Sequence, residues 1–177
     1  MVSTLALVGA PFLAIGFYGE KYAAGWLGSG WYGFYGILYI SGWAASVVMI
    51  SHLKLTGSSW AGRALPLLTL LTLLMANVSN VWTLISSQKT SIFWVLDAGW
   101  PISNLLMLPL GAMILFTQGT RRMAHWAPLL TGCWLPLSVL VGEGEVGVHV
   151  SSMYSALAWL HQAWQLSKLE QQRSLSF

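Results

Sequence analysis

The sequence predicts an all-α integral membrane protein, a compact bundle of six transmembrane helices joined by short loops. Of its 177 residues, 56% are hydrophobic and only 7% are charged, and the mean hydropathy is +0.66. A soluble domain usually carries about 25% charged residues, so this chain has too few charges to cover a soluble surface. At roughly 20 apolar residues per helix, six helices take up most of the chain. We therefore expect residues 1–177 to form a single transmembrane domain.

Six apolar runs give the order of the predicted helices. They lie at about 2–19, 32–53, 64–86, 92–117, 126–142 and 146–166. No Lys or Arg precedes the first run, so we interpret it as a retained helix and not as a signal peptide. If this run does not span the membrane, the count falls to five. The short connections predict that successive helices pack as antiparallel neighbours.

The basic residues predict an orientation in the membrane. Six of the eight Lys and Arg residues lie in two alternate connections and the tail, at Lys54, Arg63, Arg121, Arg122, Lys168 and Arg173. Basic segments next to membrane helices are retained on the cytoplasmic side, so both termini should be cytoplasmic. This distribution also accounts for the formal charge of +3 without a nucleic-acid partner.

Polar residues at membrane depth are the candidates for function, because they are costly there unless they have partners. Under the predicted topology Asp97, Glu143 and His149 lie at the outer end of the bundle, where they are candidate catalytic residues. Carboxyl and imidazole groups together can transfer protons. The same groups with Glu145 could hold a divalent metal, but their spacing matches no metal motif, so no metal site is predicted.

A second set of residues is a candidate ligand-binding set. Helical spacing gives one face to Asp97, Trp100 and Asn104, and another to Asn77 and Asn80, while Ser152 belongs to a small and polar stripe on the sixth helix. A purely structural role is the alternative to ligand binding or catalysis for these residues. Asp97 would cap a helix, Glu143 would be a solvated turn residue, and the Asn side chains would join neighbouring helices.

The histidines raise the possibility of haem or pigment binding. Two imidazoles facing each other across a bundle can ligate haem iron, and His52 with His161 is the reasonable pair. Each histidine alone is more often an interfacial or hydrogen-bonded residue. The sequence does not establish any cofactor.

Tryptophan and glycine are abundant, and there is one cysteine. Most of the eleven Trp residues, including Trp159, lie near predicted helix ends, where indole settles at the membrane interface; Trp43 and Trp134 lie near mid-span and need a packing or ligand explanation. Cys133 is expected to be a small buried hydrophobe. A glycine stripe in the second helix and its entry predicts close helix contact, through Gly28, Gly30, Gly33, Gly36 and Gly42.

One short stretch is loosely similar to a known family. The segment Asn80-Val81-Trp82 followed by Trp94-Val95-Leu96-Asp97 resembles the Asn-x-x-Trp and Trp-x-x-x-Asp patches of small integral-membrane terpenoid cyclases. The similarity covers fewer than twenty residues and departs from both spacings by one residue. It assigns no family, and we carry no residue role over from it.

Three functional hypotheses follow from the sequence. The leading one is a subunit or lipid-contacting partner of a larger membrane assembly, because the loops are minimal and no catalytic motif is complete. The alternative is an enzyme that acts on a lipid or isoprenoid, with Asp97 as general acid or base, His149 or Glu143 as its partner, and Asn80 and Asn104 orienting the substrate. The third is haem or pigment binding through His52 and His161, with solute transport as a weaker possibility.

Overall fold

The computed structural model describes residues 2–28, 30–142 and 144–174. It is all-helical, with 86% helix and no strand in the described ranges. The helices are α1 Val2–Gly9, α2 Phe12–Leu27, α3 Trp31–His52, α4 Trp60–Ile85, α5 Ser91–Asp97, α6 Gly99–Gln118, α7 Met123–Gly132, α8 Trp134–Val141 and α9 Glu145–Ser174.

Within these ranges, four segments are long and apolar enough to cross a membrane. They are Val2–Ala23, Trp31–His52, Trp60–Ile85 and Ser91–Gln118, and the pair α7 and α8 becomes a fifth if its 45° bend lies within one span. The chain therefore has the features of a multi-pass membrane protein. Each of the six predicted apolar runs is helical, but the first, fourth and fifth are each divided into two helices.

Two of the divisions follow from proline. A proline ring clashes with the carbonyl of the residue four positions earlier, which disfavours a continuous helix. Pro101 is four residues after Asp97, where α5 ends, and Pro136 is four residues after Gly132, where α7 ends. Cys133 lies at the second division and is half-buried, so its expected full burial is wrong.

The boundaries of two connections differ from those predicted. The chain from residue 19 onwards remains helical as far as Leu27, so the first connection is shorter than expected. Helix α4 begins at Trp60, four residues before the predicted start, because Ser59 caps it by accepting a hydrogen bond of 3.0 Å from the Gly62 amide.

Contacts between connections define two ends of the bundle. At the first, Thr117 donates a hydrogen bond of 2.7 Å to the Leu55 carbonyl, and the Arg173 guanidinium donates one of 3.1 Å to the His52 carbonyl. The three predicted basic segments therefore meet at one end, which we call the basic end. At the opposite end, Tyr18 is hydrogen bonded to His149 at 2.8 Å.

The glycine stripe permits close helix contact at Gly33, Gly36 and Gly42, as predicted, whereas a Cβ added at Gly28 would have no neighbour within 4 Å. A Cβ added at Gly42 would lie 2.6 Å from the Cα of Gly9, so α1 and α3 pack backbone against backbone. Gly33 and Gly36 face α4, where an added Cβ would lie 2.5 Å from atoms of Asn80. One helix thus packs closely against two neighbours.

Tryptophan fills the centre of the bundle. Trp43 and Trp134 are fully buried, and Trp159 lies between them with ring centroids 5.3 Å and 6.3 Å away. Trp159 also packs its edge against Tyr39. Its predicted role at the membrane interface is wrong, because its position on α9 turns the indole towards the core.

Candidate functional site

A cavity of about 110 Å³ lies inside the bundle, in the half that is nearer the opposite end. Helices α2, α3, α4, α5 and α6 all contribute to its wall. Aromatic side chains form much of that wall, and Asn80 and Asp97 add an amide and a carboxylate; the aromatic residues are Phe17, Tyr32, Tyr35, Tyr39 and Trp100. Three residues from the predicted sites, Asn80, Asp97 and Trp100, therefore share one cavity.

Asp97 is held at the cavity by its place at the end of α5. Its Oδ1 accepts a hydrogen bond of 3.0 Å from the Ser79 hydroxyl on α4, and its second oxygen accepts none from the described residues. The interpretation of Asp97 as a helix cap is wrong. Ala98 occupies the cap position of α6 without a side-chain hydrogen bond, because the helical turn of α5 continues through Asp97.

Asn80 reaches the cavity because Gly36 has no side chain. A Cβ at Gly36 would lie 2.5 Å from the Asn80 Oδ1, so any larger residue there would displace the amide. Asn80 is buried, and its side chain forms no hydrogen bond within the part of the chain that the structure describes. Its donor and acceptor are therefore available to a molecule in the cavity.

Three tyrosines of α3 were missed by the sequence analysis. Tyr32, Tyr35 and Tyr39 are spaced by three and four residues, so they share the helix face that lines the cavity. Towards the opposite end, the Tyr35 hydroxyl interacts with the Glu20 carboxylate, and the Lys89 ammonium lies 5.7 Å from the Tyr32 ring centroid. The regular spacing of the tyrosines was the signal that could have identified them.

Deeper in the bundle, several buried polar groups lack hydrogen bonds within the described residues, among them the Tyr39 hydroxyl, the Asn104 amide and the indole nitrogens of Trp43 and Trp159. The Tyr39 hydroxyl lies close to Trp100 and Asn104, but it has no hydrogen-bonding partner within the described chain. Asn104 is completely buried, and neither its amide nitrogen nor its oxygen is hydrogen bonded. Each buried polar group without a partner lowers the stability of the fold by about 1–3 kcal/mol. Such groups are expected at a site where water or a ligand supplies the missing hydrogen bonds.

Of the predicted catalytic set, Asp97 lines the cavity and His149 does not. His149 is hydrogen bonded through Nδ1 to Tyr18 at 2.8 Å and through Nε2 to Tyr22 at 3.1 Å. No hydrogen bond joins His149 to Asp97 in the described residues, and Glu143 lies outside them. Among the residues described, no group of three or more His, Cys, Asp or Glu side chains is placed to hold a metal ion.

Like Asn104, the residues Asn77 and Ser152 of the predicted ligand-binding set do not line the cavity. The Asn77 amide donates a hydrogen bond of 3.1 Å to Ser41, which joins α4 to α3 as the structural interpretation expects. Ser152 is fully buried in α9, and its hydroxyl has no hydrogen-bonding partner in the described chain.

His52 and His161 do not form a pair. Arg173 reaches the His52 backbone, and His161 precedes Arg173 by twelve residues on the same helix. Twelve residues correspond to roughly 18 Å along α9. His161 instead faces a groove between α7 and α9 and packs against Trp164. His52 lies at the basic end and does not line this groove, so the two imidazoles do not flank a common haem site there.

The cavity combines features that proton-transfer chemistry requires. A carboxyl group with one uncommitted oxygen can accept a proton when it is ionised and give one when it is protonated, and nearby hydroxyl and amide groups can orient a polar substrate group. The aromatic walls provide an apolar surround, and electrostatic interactions are stronger there than in bulk water. No protein-family model, curated protein or solved structure matches this chain.

Proposed function

We propose that the protein is an integral membrane enzyme that binds the reacting end of a lipid or isoprenoid in this cavity and transfers a proton through Asp97. One observation carries the proposal: the Asp97 carboxylate and the Asn80 amide face the same aromatic cavity. Tyr39 also lines the cavity, and the buried Asn104 lies behind it, close to the Tyr39 hydroxyl. His149 and Glu143, which the sequence suggested as catalytic partners of Asp97, have no role in this proposal.

We also propose that the chain crosses the membrane six times. Helices α7 and α8 then form a bent fifth span, and α9 forms the sixth. The outward face of α9 supports this assignment. Its exposed apolar side chains are spaced by three and four residues over the first half of the helix, at Val146, Val150, Met153, Leu157 and Leu160. Contact of such an apolar stripe with lipid is favourable, whereas its exposure to water is unfavourable.

The size of the cavity limits the part of the substrate that enters it. A volume of about 110 Å³ corresponds to about four water molecules at their share of liquid volume. Only the reacting group fits, and the apolar remainder would lie between helices or in the bilayer. The carboxyl of Asp97 would then act as general acid or base on a group that Asn80 and the tyrosines hold in place.

Deuterium transfer tests the proposal. Membranes from native-host cells that express the protein are resuspended in deuterium oxide, and their lipids are analysed by mass spectrometry. In the balanced step, Asp97 removes a proton from one carbon atom of the substrate and a solvent-derived proton is returned to another, so that a double bond shifts and no charge remains. The wild type should therefore label one lipid species with carbon-bound deuterium. The Asp97→Asn variant should lower the rate of labelling by at least about 100-fold, the range found for loss of a general acid or base.

Two further variants control this experiment. Glu145→Gln removes an exposed carboxylate at the start of α9, away from the cavity, and should leave labelling unchanged. Tyr39→Phe keeps the shape of the cavity wall and removes one hydroxyl, so it should slow labelling without changing the elution profile of the purified protein. Equal labelling by Asp97→Asn and the wild type would rule out the proposed role of Asp97.

The outward face of α4 favours a second candidate function, that of a subunit or lipid-contacting partner of a larger membrane assembly. Trp60 is 85% exposed and lines an open apolar groove with Leu67, Leu68 and Leu71. Such a surface can accept lipid chains or a helix of another protein. Native extraction from membranes should recover a stoichiometric partner if α4 lies in an interface, whereas a protein that always elutes as a lone monomer would contradict it.

A further inference from the structure

We propose that the groove between α7 and α9 binds an anionic phospholipid, with its phosphate at the basic end and an acyl chain along the two helices. This site is separate from the central cavity. It rests on the proposed location in a membrane, but it does not depend on the proposed enzymatic activity.

The apolar half of the site is a groove of about 410 Å³. Helix α9 lines it with Tyr154, Leu157, Ala158 and His161, and α7 lines it with Met123 and Leu130. From Tyr154 to His161 the groove follows α9 for roughly 10 Å. Its length and apolar character suit part of an acyl chain.

The polar half is a second cavity, of about 360 Å³, at the basic end. Helix α9 contributes Gln165, Lys168 and Gln172, and the start of α7 contributes Arg122 and Met123. Because Met123 lines both cavities, they are adjacent. On α9 the lining residues recur every three or four positions from Tyr154 to Gln172, so one helix face runs through both halves.

Charge complementarity selects an anionic occupant. Arg122 and Lys168 form no ion pair with other residues in the described ranges, although the Lys168 ammonium lies 3.6 Å from the Trp164 ring centroid. The acid nearest in sequence, Glu170, follows Lys168 by two residues and so points to about the other side of α9. Helix α7 also begins here without a side-chain cap, so the positive end of its dipole adds to the basic charge.

Competition between two lipids tests the charged half. The purified full chain in detergent is mixed with equal amounts of dioleoyl phosphatidylglycerol and dioleoyl phosphatidylcholine, and bound lipids are counted by native mass spectrometry. One phosphatidylglycerol should bind in preference to phosphatidylcholine. The double variant Arg122→Gln with Lys168→Gln should reduce this preference by about 25-fold, since each basic residue contributes about fivefold to binding of an anionic lipid.

The matched control is a second double variant that also removes two positive charges from the basic end. Arg121 and Arg63 do not line either cavity, so Arg121→Gln with Arg63→Gln should keep the preference for phosphatidylglycerol. Equal loss in both double variants would show a general effect of charge and overturn the site. Displacement of the lipid by excess inorganic phosphate alone would also overturn it, because that result indicates an anion site without an acyl chain.

A separate pair of variants tests the apolar half. Leu157 is 67% exposed and lines the groove, whereas Met153, one turn earlier, is 61% exposed and does not. Leu157→Trp should therefore fill the groove and weaken phosphatidylglycerol binding without changing charge, and Met153→Trp should not. Equal binding by these two variants would exclude the acyl chain from the groove.

Discussion

The hydroxyl of Ser79 lies 3.0 Å from Oδ1 of Asp97 and 2.8 Å from the Ala76 carbonyl of its own helix, and it shares its single proton between these two acceptors. The bond to Asp97 connects α4 to the last residue of α5. It leaves the other carboxylate oxygen of Asp97 without a protein donor in the described chain. Ser79 is therefore a positioning residue for Asp97. The bond also stabilises the fold, by about 0.5–1.5 kcal/mol as for an ordinary hydrogen bond, because Ser79 shares its proton with Ala76 and Asp97 is only half-buried.

Ser79→Ala should lower the stability of the protein. We expect a loss of about 0.5–1.5 kcal/mol, the contribution of an ordinary hydrogen bond, because the proton is shared with the Ala76 carbonyl. Thermal unfolding in detergent measures this loss. Ser155→Ala is the control, because the buried Ser155 hydroxyl bonds only to the Ser152 carbonyl in its own helix. A loss no larger than that of the control would mean that the bond to Asp97 contributes little.

Asn104→Leu should separate stability from function. Neither polar atom of Asn104 is hydrogen bonded, so an apolar side chain of similar size removes a desolvation cost. We expect unfolding at the same or a higher temperature, together with slower deuterium transfer. Asn77→Leu should instead destabilise the protein, because Asn77 bonds to Ser41 across two helices. Equal destabilisation by the two variants would show that Asn104 has a structural role.

The contact between Gly9 and Gly42 should be sensitive to a single methyl group. Gly42→Ala places a Cβ 2.6 Å from the Gly9 Cα, which backbone atoms can relieve only by separating α1 from α3. We expect a loss of about 1–3 kcal/mol from overpacking. Gly25→Ala in α2 has no neighbour within 4 Å, so it should be neutral or slightly stabilising. Thermal unfolding of both variants measures the difference.

Trp159 should be among the most costly residues to truncate. Its ring packs against Trp43, Trp134 and Tyr39 at 2% exposure. Trp159→Ala should therefore cost about 3–5 kcal/mol. Trp60→Ala removes the same side chain at 85% exposure and should change stability little in detergent. Similar losses from the two variants would contradict the central position of Trp159.

Much of the helical architecture could be predicted from the sequence, because apolar runs and glycine spacing are local signals. The divisions after Asp97 and Gly132 were also encoded locally, by Pro101 and Pro136. Trp159 shows where local signals fail. Because Trp159 lies near the end of a predicted helix, the sequence suggested a position at the membrane interface. A largely apolar helix, however, gives little indication of which face packs against its neighbours.

The candidate site was predictable only in its separate parts. Asp97, Asn80 and Trp100 were selected because they are polar or aromatic at membrane depth, and they meet in one cavity. His149 was selected for the same reason, but it bonds to tyrosines of α2. Which polar residues converge depends on the rotation of each helix in the bundle, and the sequence pattern does not specify that rotation.

The basic residues predict the orientation of the bundle in the membrane. The hydrogen bonds from Thr117 to Leu55 and from Arg173 to His52 bring the basic connections and the tail to one end. Basic residues resist translocation, so this end should be cytoplasmic. Gly144 and Thr120 are both exposed and lie in connections at different ends, which makes them suitable sites for cysteine labelling.

In a Cys133→Ser background, a membrane-impermeant thiol reagent applied to intact cells should modify Gly144→Cys but not Thr120→Cys. Thr120 is preferred to Gly119 for this test, because Gly119 has a φ of +78° that an L side chain rarely adopts. Permeabilised cells should show labelling of both variants and so verify that each thiol is reactive. The reverse pattern in intact cells would invert the orientation. Labelling of both in intact cells would place both connections outside and contradict the proposed six spans.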